Sequence, residues 1–212
     1  ALAAAGIASL EPDMWKARGL LGGTNGRARI ISDTLPDTWG AWSYLATNPK
    51  IDAARIGVMG FSWGGALSWI TAFGLKPTQA TPEVAAAKFA VHVPYYGGCS
   101  SYLPEAAGGK AIARLNGKPT GAPMMYVVGT KDDYETGPDA CVNLAKSYPE
   151  ISLKLKIVDG ATHGFDGTKP SSFRDDWAKD GKGAWVQVTP DPAVAREVER
   201  EVVEFLKTTF NK

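Results

Sequence analysis

Two rhythms of apolar residues divide the chain. Short apolar runs closed by glycine read as strands, and stretches with apolar residues three and four apart read as helices. Ala1 to Gly6 reads as the end of a helix closed by its glycine, followed by a short buried strand, Ile7-Ala8-Ser9-Leu10. Residues 14 to 32 hold Trp15, Lys16, Arg18 and four glycines, a loop over the top of a sheet. Asp33 to Asn48 places Leu35, Trp39, Trp42 and Leu45 at helical spacing until Pro49 stops it. A strand then runs to Gly60, turns through Ser62, and leaves as a helix to Gly74 with Leu67, Ile70 and Phe73 in step. Lys88 to Tyr96 is the next strand, and Pro123 to Gly129 is apolar almost throughout, as in a strand buried on both faces. Pro138 opens a helix through Leu144, and Ile151 to Val158 alternates as a strand. Residues 164 to 192 read as a long irregular segment containing Phe173, Trp177 and Trp185. Ala193 to Phe210 carries Val194, Val198, Val202, Phe205 and Leu206 along one helical stripe. Strands alternating with helices predict an α/β fold with a parallel, doubly wound sheet, as one domain over residues 1–212.

Composition narrows the possibilities. The 212 residues carry a formal net charge of +1 and no long basic cluster, which argues against nucleic acid or an acidic membrane surface as partner. No apolar run is long enough to span a bilayer. Cys99 and Cys141 lack metal-ligand spacing and the chain has two histidines, so no metal site is expected. The two cysteines are either buried thiols or one disulfide.

The candidate chemistry centres on Gly60-Phe61-Ser62-Trp63-Gly64, a Gly-x-Ser-x-Gly pattern between a strand and a helix. A serine on such an elbow holds its hydroxyl clear of the sheet, and the helix N-terminus behind it favours developing negative charge. Gly60 and Gly64 are expected because a side chain would crowd the turn, and Gly65 because the helix packs close to the sheet. The same pattern also suits an ordinary glycine-rich turn. A serine nucleophile needs a base within hydrogen-bond reach and a third group to orient that base. His92 lies inside a strand, where histidine is usually a hydrogen-bonded core residue. His163 follows a strand in Thr162-His163-Gly164-Phe165 and is the candidate base, because sites of open α/β sheets form at that edge. Asp132, in Gly129-Thr130-Lys131-Asp132-Asp133, is the candidate acid and Asp133 its rival. Ser62, Asp132 and His163 each follow a strand, in the chain order of α/β-hydrolases.

The chain resembles the dienelactone hydrolase family of α/β-hydrolases. The resemblance lies in Gly6-Ile7-Ala8-Ser9-Leu10-Glu11-Pro12-Asp13-Met14-Trp15, the elbow, Tyr95-Tyr96-Gly97, Gly129 to Asp133, and His163-Gly164-Phe165. It implies Ser62 as nucleophile, Asp132 as acid, His163 as base and the Trp63 backbone N–H as an oxyanion donor. The implied reaction is cofactor-free hydrolysis of a small-molecule carboxylic ester or lactone. The family's founding members have cysteine at the elbow where this chain has Ser62. They also carry two arginines where this chain has Ala17 and Gly167, which points away from dienelactone itself. Relatives with a similar Asp-Asp turn often carry cysteines at the positions of Cys99 and Cys141, both near one sheet edge. A disulfide is therefore expected, and with it a periplasmic or secreted location. Trp15, Arg18, Trp177 and Trp185 are the expected pocket residues, the last two on a lid over 164–192. In this fold the strand ending at Leu10 is the fourth, so amino-terminal strands are expected beyond the given sequence, the missing segment filling the place between Leu10 and Gly60. Two other readings share the residues: a peptidase of the prolyl-oligopeptidase type, and a non-catalytic binding protein on a hydrolase fold.

Overall fold

The strands form where apolar runs can be buried from both sides. In a computed structural model describing residues 1–106, 117–137 and 139–211, β1 (Val58–Phe61), β2 (His92–Tyr95), β3 (Met124–Lys131) and β4 (Leu153–Thr162) form one parallel sheet in that order. β3 lies between β2 and β4, so its residues up to Val128 are buried whichever way they point. Met124, Tyr126 and Val128 face one core, shared with helices α2 (Leu35–Ala46), α3 (Trp63–Ala72) and α5 (Ala140–Ser147). Met125 and Val127 face a second core against α7 (Pro192–Phe210), whose Val198, Val202 and Leu206 recur every four residues. Asp191 caps α7, its side chain accepting from the N–H groups of Ala193 and Val194 at 3.1 Å. The short helices α1 (Gly23–Gly26), α4 (Pro82–Ala86) and α6 (Ala178–Gly181) lie in the connections. No helix among the described residues is long and apolar enough to cross a membrane.

Gly6 closes a three-residue turn in the left-handed region, as its position suggested. The strand expected at Ile7–Leu10 does not form. That segment pairs with no strand among the described residues, Ala8, Ser9 and Leu10 are exposed, and a lone strand has no ladder to satisfy its backbone. β1 accordingly has β2 as its one described neighbour. Residues 164–192 are more regular than expected. β5 (Ser171–Asp175) and β6 (Ala184–Val188) pair antiparallel, with α6 between them. The expected helix start at Pro138 lies outside the described residues.

Cys99, just past β2, and Cys141, in α5, form a disulfide with their Cα atoms 5.0 Å apart. Beneath it lies the buried carboxylate of Glu135. It accepts from Cys99 N–H at 2.7 Å, Ser100 N–H at 2.8 Å and the Ser100 hydroxyl at 2.7 Å. Burial and the nearby Asp132 charge push the Glu135 carboxyl above its ordinary value, against the pull of these donors.

Candidate active site

Ser62 is the residue between β1 and α3, and the turn forces it into a rare backbone conformation, φ 49° and ψ −108°. The two glycines of the pattern contribute differently. A Cβ on Gly60 would lie 2.2 Å from the carbonyl carbon and oxygen of Gly64, and one on Gly65 would lie 2.3 Å from Tyr95 O. A Cβ on Gly64 meets nothing within 4 Å, so the expected crowding there is absent. Among Gly60, Gly64 and Gly65, close approach demands glycine at Gly60 and Gly65.

The structure brings Ser62, His163 and Asp132 together from the ends of three strands. His163 Nε2 is 2.9 Å from Ser62 Oγ, and His163 Nδ1 is 3.1 and 3.2 Å from the two Asp132 oxygens. A carboxylate accepts, so Nδ1 carries the proton and Nε2 presents its lone pair to the serine. Asp132 also accepts from the Tyr134 N–H at 2.9 Å, which fixes its rotation. The rival acid, Asp133, points elsewhere and accepts from Gln187 N–H at 3.0 Å. His92 is fully buried, with Nδ1 donating to Ser68 O at 2.9 Å, away from the site. As the first residue of α3, Trp63 has an N–H with no acceptor inside the helix.

Two tyrosine rings pack against the His163 imidazole. Tyr96 meets it edge-on with centroids 4.7 Å apart, and Tyr134 lies over it at 4.4 Å. The Tyr96 hydroxyl donates to Asp166 at 2.5 Å, and the Tyr134 hydroxyl donates to Asp175 at 2.5 Å. Burial raises both phenols above their ordinary value, and the partner carboxylates raise them further. Asp175 also accepts two 2.8 Å hydrogen bonds from Arg27. Burial would raise the Asp175 carboxyl, but the bonds from Arg27, Tyr134 and Trp177 N–H together hold it below the usual carboxylate value.

A cleft of about 1400 Å³ opens over Ser62 and His163. Its walls include Met14, Trp15, Phe61, Trp63, Tyr134 and Phe173, with Lys16 and Arg27 as cations. Trp15 thus lines the cleft. Trp177 does not line the cleft; it stacks behind Trp63 at 5.8 Å, with the Arg27 guanidinium 4.9 Å over its ring. Trp185 is not a pocket residue either. Strand alternation buries its neighbour Val186 and leaves Trp185 62% exposed on the outer face of β6. Arg18 is likewise absent from the cleft, because its guanidinium binds Asp37, Met14 O and Asp33 O. From segment 164–192 it is Phe173 that reaches the cleft, while Asp166 and Asp175 accept from the Tyr96 and Tyr134 hydroxyls.

The model of the dienelactone hydrolase family matches residues 2–210. The chain belongs to the dienelactone hydrolase family. No curated protein sequence matches it. Among solved structures, this dienelactone hydrolase family member is similar to a dienelactone hydrolase-like promiscuous phosphotriesterase from metagenomic libraries, with a TM-score of 0.54 at 16% identity. That match covers 84% of this chain and 62% of the other, so the chain spans less than two thirds of that relative. It is also similar to the carboxylesterase Cest-2923 of Lactobacillus plantarum WCFS1, with a TM-score of 0.52 at 13% identity over 89% of this chain and 71% of the other. At such identities the likeness is one of fold: a parallel sheet flanked by helices, as in α/β-hydrolases.

The site residues not foreseen from the sequence are Tyr134, Asp166, Asp175, Arg27 and the pairing of Tyr96 with His163. Arg27 and Asp175 are 148 positions apart, so no local spacing could join them. Tyr96 stood within a recognised motif, but its left-handed backbone, φ 37°, shows only in three dimensions.

Proposed function

We propose that this dienelactone hydrolase family member is a serine hydrolase that cleaves a carboxylic ester or lactone through an acyl-enzyme on Ser62. The observation that supports it most is the continuous hydrogen-bonded path from Ser62 Oγ through His163 to Asp132. His163 Nε2 takes the hydroxyl proton as Oγ attacks the carbonyl carbon, while Asp132 steadies the imidazolium that forms. The carbonyl oxygen becomes negative beside the Trp63 N–H at the start of α3. His163 then protonates the departing alcohol, and water attacking the acyl-enzyme repeats the sequence in reverse. The aromatic walls of the cleft favour esters with an apolar acyl or alcohol group. The Cys99–Cys141 bond supports a periplasmic or secreted location.

A panel of p-nitrophenyl esters beside prolyl nitroanilides tests the substrate class, with fluorophosphonate labelling to count reactive serines. Ester turnover that disappears in Ser62→Ala, with labelling lost as well, is the expected result. Faster release from the nitroanilides reassigns the protein as a peptidase. No turnover and no labelling of the wild-type chain leaves a binding protein on a hydrolase fold.

A further inference from the structure

We infer that Tyr96 and Tyr134 are positioning residues that hold the His163 imidazole between their rings, each braced through its hydroxyl by a carboxylate of segment 164–192. The inference rests on the hydrolase reading above and adds to it two residues and a role for that segment. A base held by Asp132 alone can still tilt about the Nδ1–carboxylate contact, because the ring faces are otherwise free. Here Tyr134 packs on the ring, tilted, at 4.4 Å and Tyr96 meets it edge-on at 4.7 Å, so tilting of the imidazole is limited by two aromatic rings. Neither tyrosine is free to follow. The Tyr96 hydroxyl is fixed on Asp166, and the Tyr134 hydroxyl on Asp175, which Arg27 grips with two further bonds.

The backbone points the same way. Tyr96 sits at φ 37°, a conformation that a bulky residue adopts only under strain. Glycine or asparagine would fit there at lower cost, and Gly97 and Gly98 follow directly. What the strain secures is the placement of the ring against His163 and of the hydroxyl on Asp166. The two tethers also give segment 164–192 a function that its exposed outer face does not suggest. It supplies the two carboxylates that brace the tyrosines around the base.

Three variants test this: Tyr134→Leu removes one ring, and Tyr134→Phe and Tyr96→Phe keep the rings but cut the tethers. Turnover of a short acetate ester and of a bulky ester is measured per serine labelled by fluorophosphonate. Proton NMR follows the downfield signal of the His163 Nδ1–H on Asp132. In Tyr134→Leu, kcat is expected to fall on the order of 10-fold to 10²-fold for both esters, with KM within about twofold. Tyr134→Phe should recover most of that loss, and Tyr96→Phe should show a smaller fall of the same kind. The NMR signal should broaden strongly in Tyr134→Leu and to a smaller extent in Tyr134→Phe and Tyr96→Phe. A loss that appears in KM and grows with ester size makes Tyr134 a pocket wall only and overturns the inference. So does a sharp, unchanged NMR signal in Tyr134→Leu, or a fall in Tm with kcat per labelled serine unaltered. If the wild-type chain turns over no ester, the hydrolase reading fails separately, while the NMR comparison still decides whether the rings hold the imidazole. Should Tyr134→Leu not fold, Tyr96→Phe carries the decision, and unaltered kcat and NMR signal there overturn the inference.

Discussion

Replacing Gly60 by alanine should disable the site, whereas the same change at Gly64 should not. The added Cβ at Gly60 would stand 2.2 Å from the carbonyl carbon and oxygen of Gly64 and 2.7 Å from its Cα, where ordinary contact begins at 3.4 Å. Relief requires a displacement of about 1.2 Å between β1 and the first turn of α3. Neither side yields easily, because Gly60 lies in the β1–β2 ladder opposite Pro94 and Gly64 belongs to a helix. Ser62 lies between them, and its Oγ depends on a 2.9 Å approach to His163. Overpacking of this kind costs about 1–3 kcal/mol of stability, and a misplacement near 1 Å costs on the order of 10²-fold in rate. At Gly64 the Cβ meets nothing, φ lies outside the left-handed region, and alanine is the better helix former by up to ~1 kcal/mol. Turnover of p-nitrophenyl acetate per labelled serine, beside urea unfolding, separates the two. Equal losses from both variants, or near-wild-type turnover in Gly60→Ala, would refute the steric account of the elbow.

Three further outcomes follow from the same geometry. The Cys99–Cys141 bond closes a loop with a sequence separation of 42, so reducing it should lower stability by about 4 kcal/mol in the chain-entropy treatment; two free thiols in the denatured, unreduced protein would contradict the bond itself. His92 is the second, because burial lowers its pKa from 6.5 to about 4. The unfolded chain then takes up this proton below pH 6.5 and the folded chain only below about 4, so stability should drop as pH falls through that window, by up to about 3 kcal/mol. Urea unfolding at pH 7, 5.5 and 4.5 should show a shallower drop for His92→Gln than for wild type, and parallel curves would rule this out. Asp132→Asn should cost on the order of 10⁴-fold in kcat by disfavouring the required imidazole tautomer, while Asp133→Asn, whose carboxylate accepts from Gln187 N–H and not from His163, should stay within about threefold. The reverse order would reassign the acid.

The parts of the fold legible in the sequence were those with strong local periodicity. α7 and β3 could be read because burial repeats every four residues in the one and covers consecutive positions from Met124 to Gly129 in the other. The elbow could be read because strand, serine and helix are contiguous. Ile7–Leu10 looked like a strand from its composition, but strand formation depends on a neighbour, which composition cannot supply. The β5–β6 hairpin was hidden because its strands are short and its alternation weak, and Trp185 misled because an apolar side chain on an outward strand position reads like a wall residue. Arg18 and Arg27 illustrate the same limit within one loop. Both are cations near tryptophans, and only their distant partners, Asp37 and Asp175, decide which of them borders the cleft.

The disulfide also changes what a broken chain would mean. Ser62 precedes the crosslinked loop, His163 follows it, and Asp132 lies within it. A single peptide-bond cut anywhere between Cys99 and Cys141 therefore leaves one covalent molecule, with nucleophile and base still on the same covalent framework. On a non-reducing gel such a nicked protein runs as one species, and it separates into two only with reductant. Chain ends relocated into that stretch, with the present ends joined by a linker, would likewise remain bridged across the new gap.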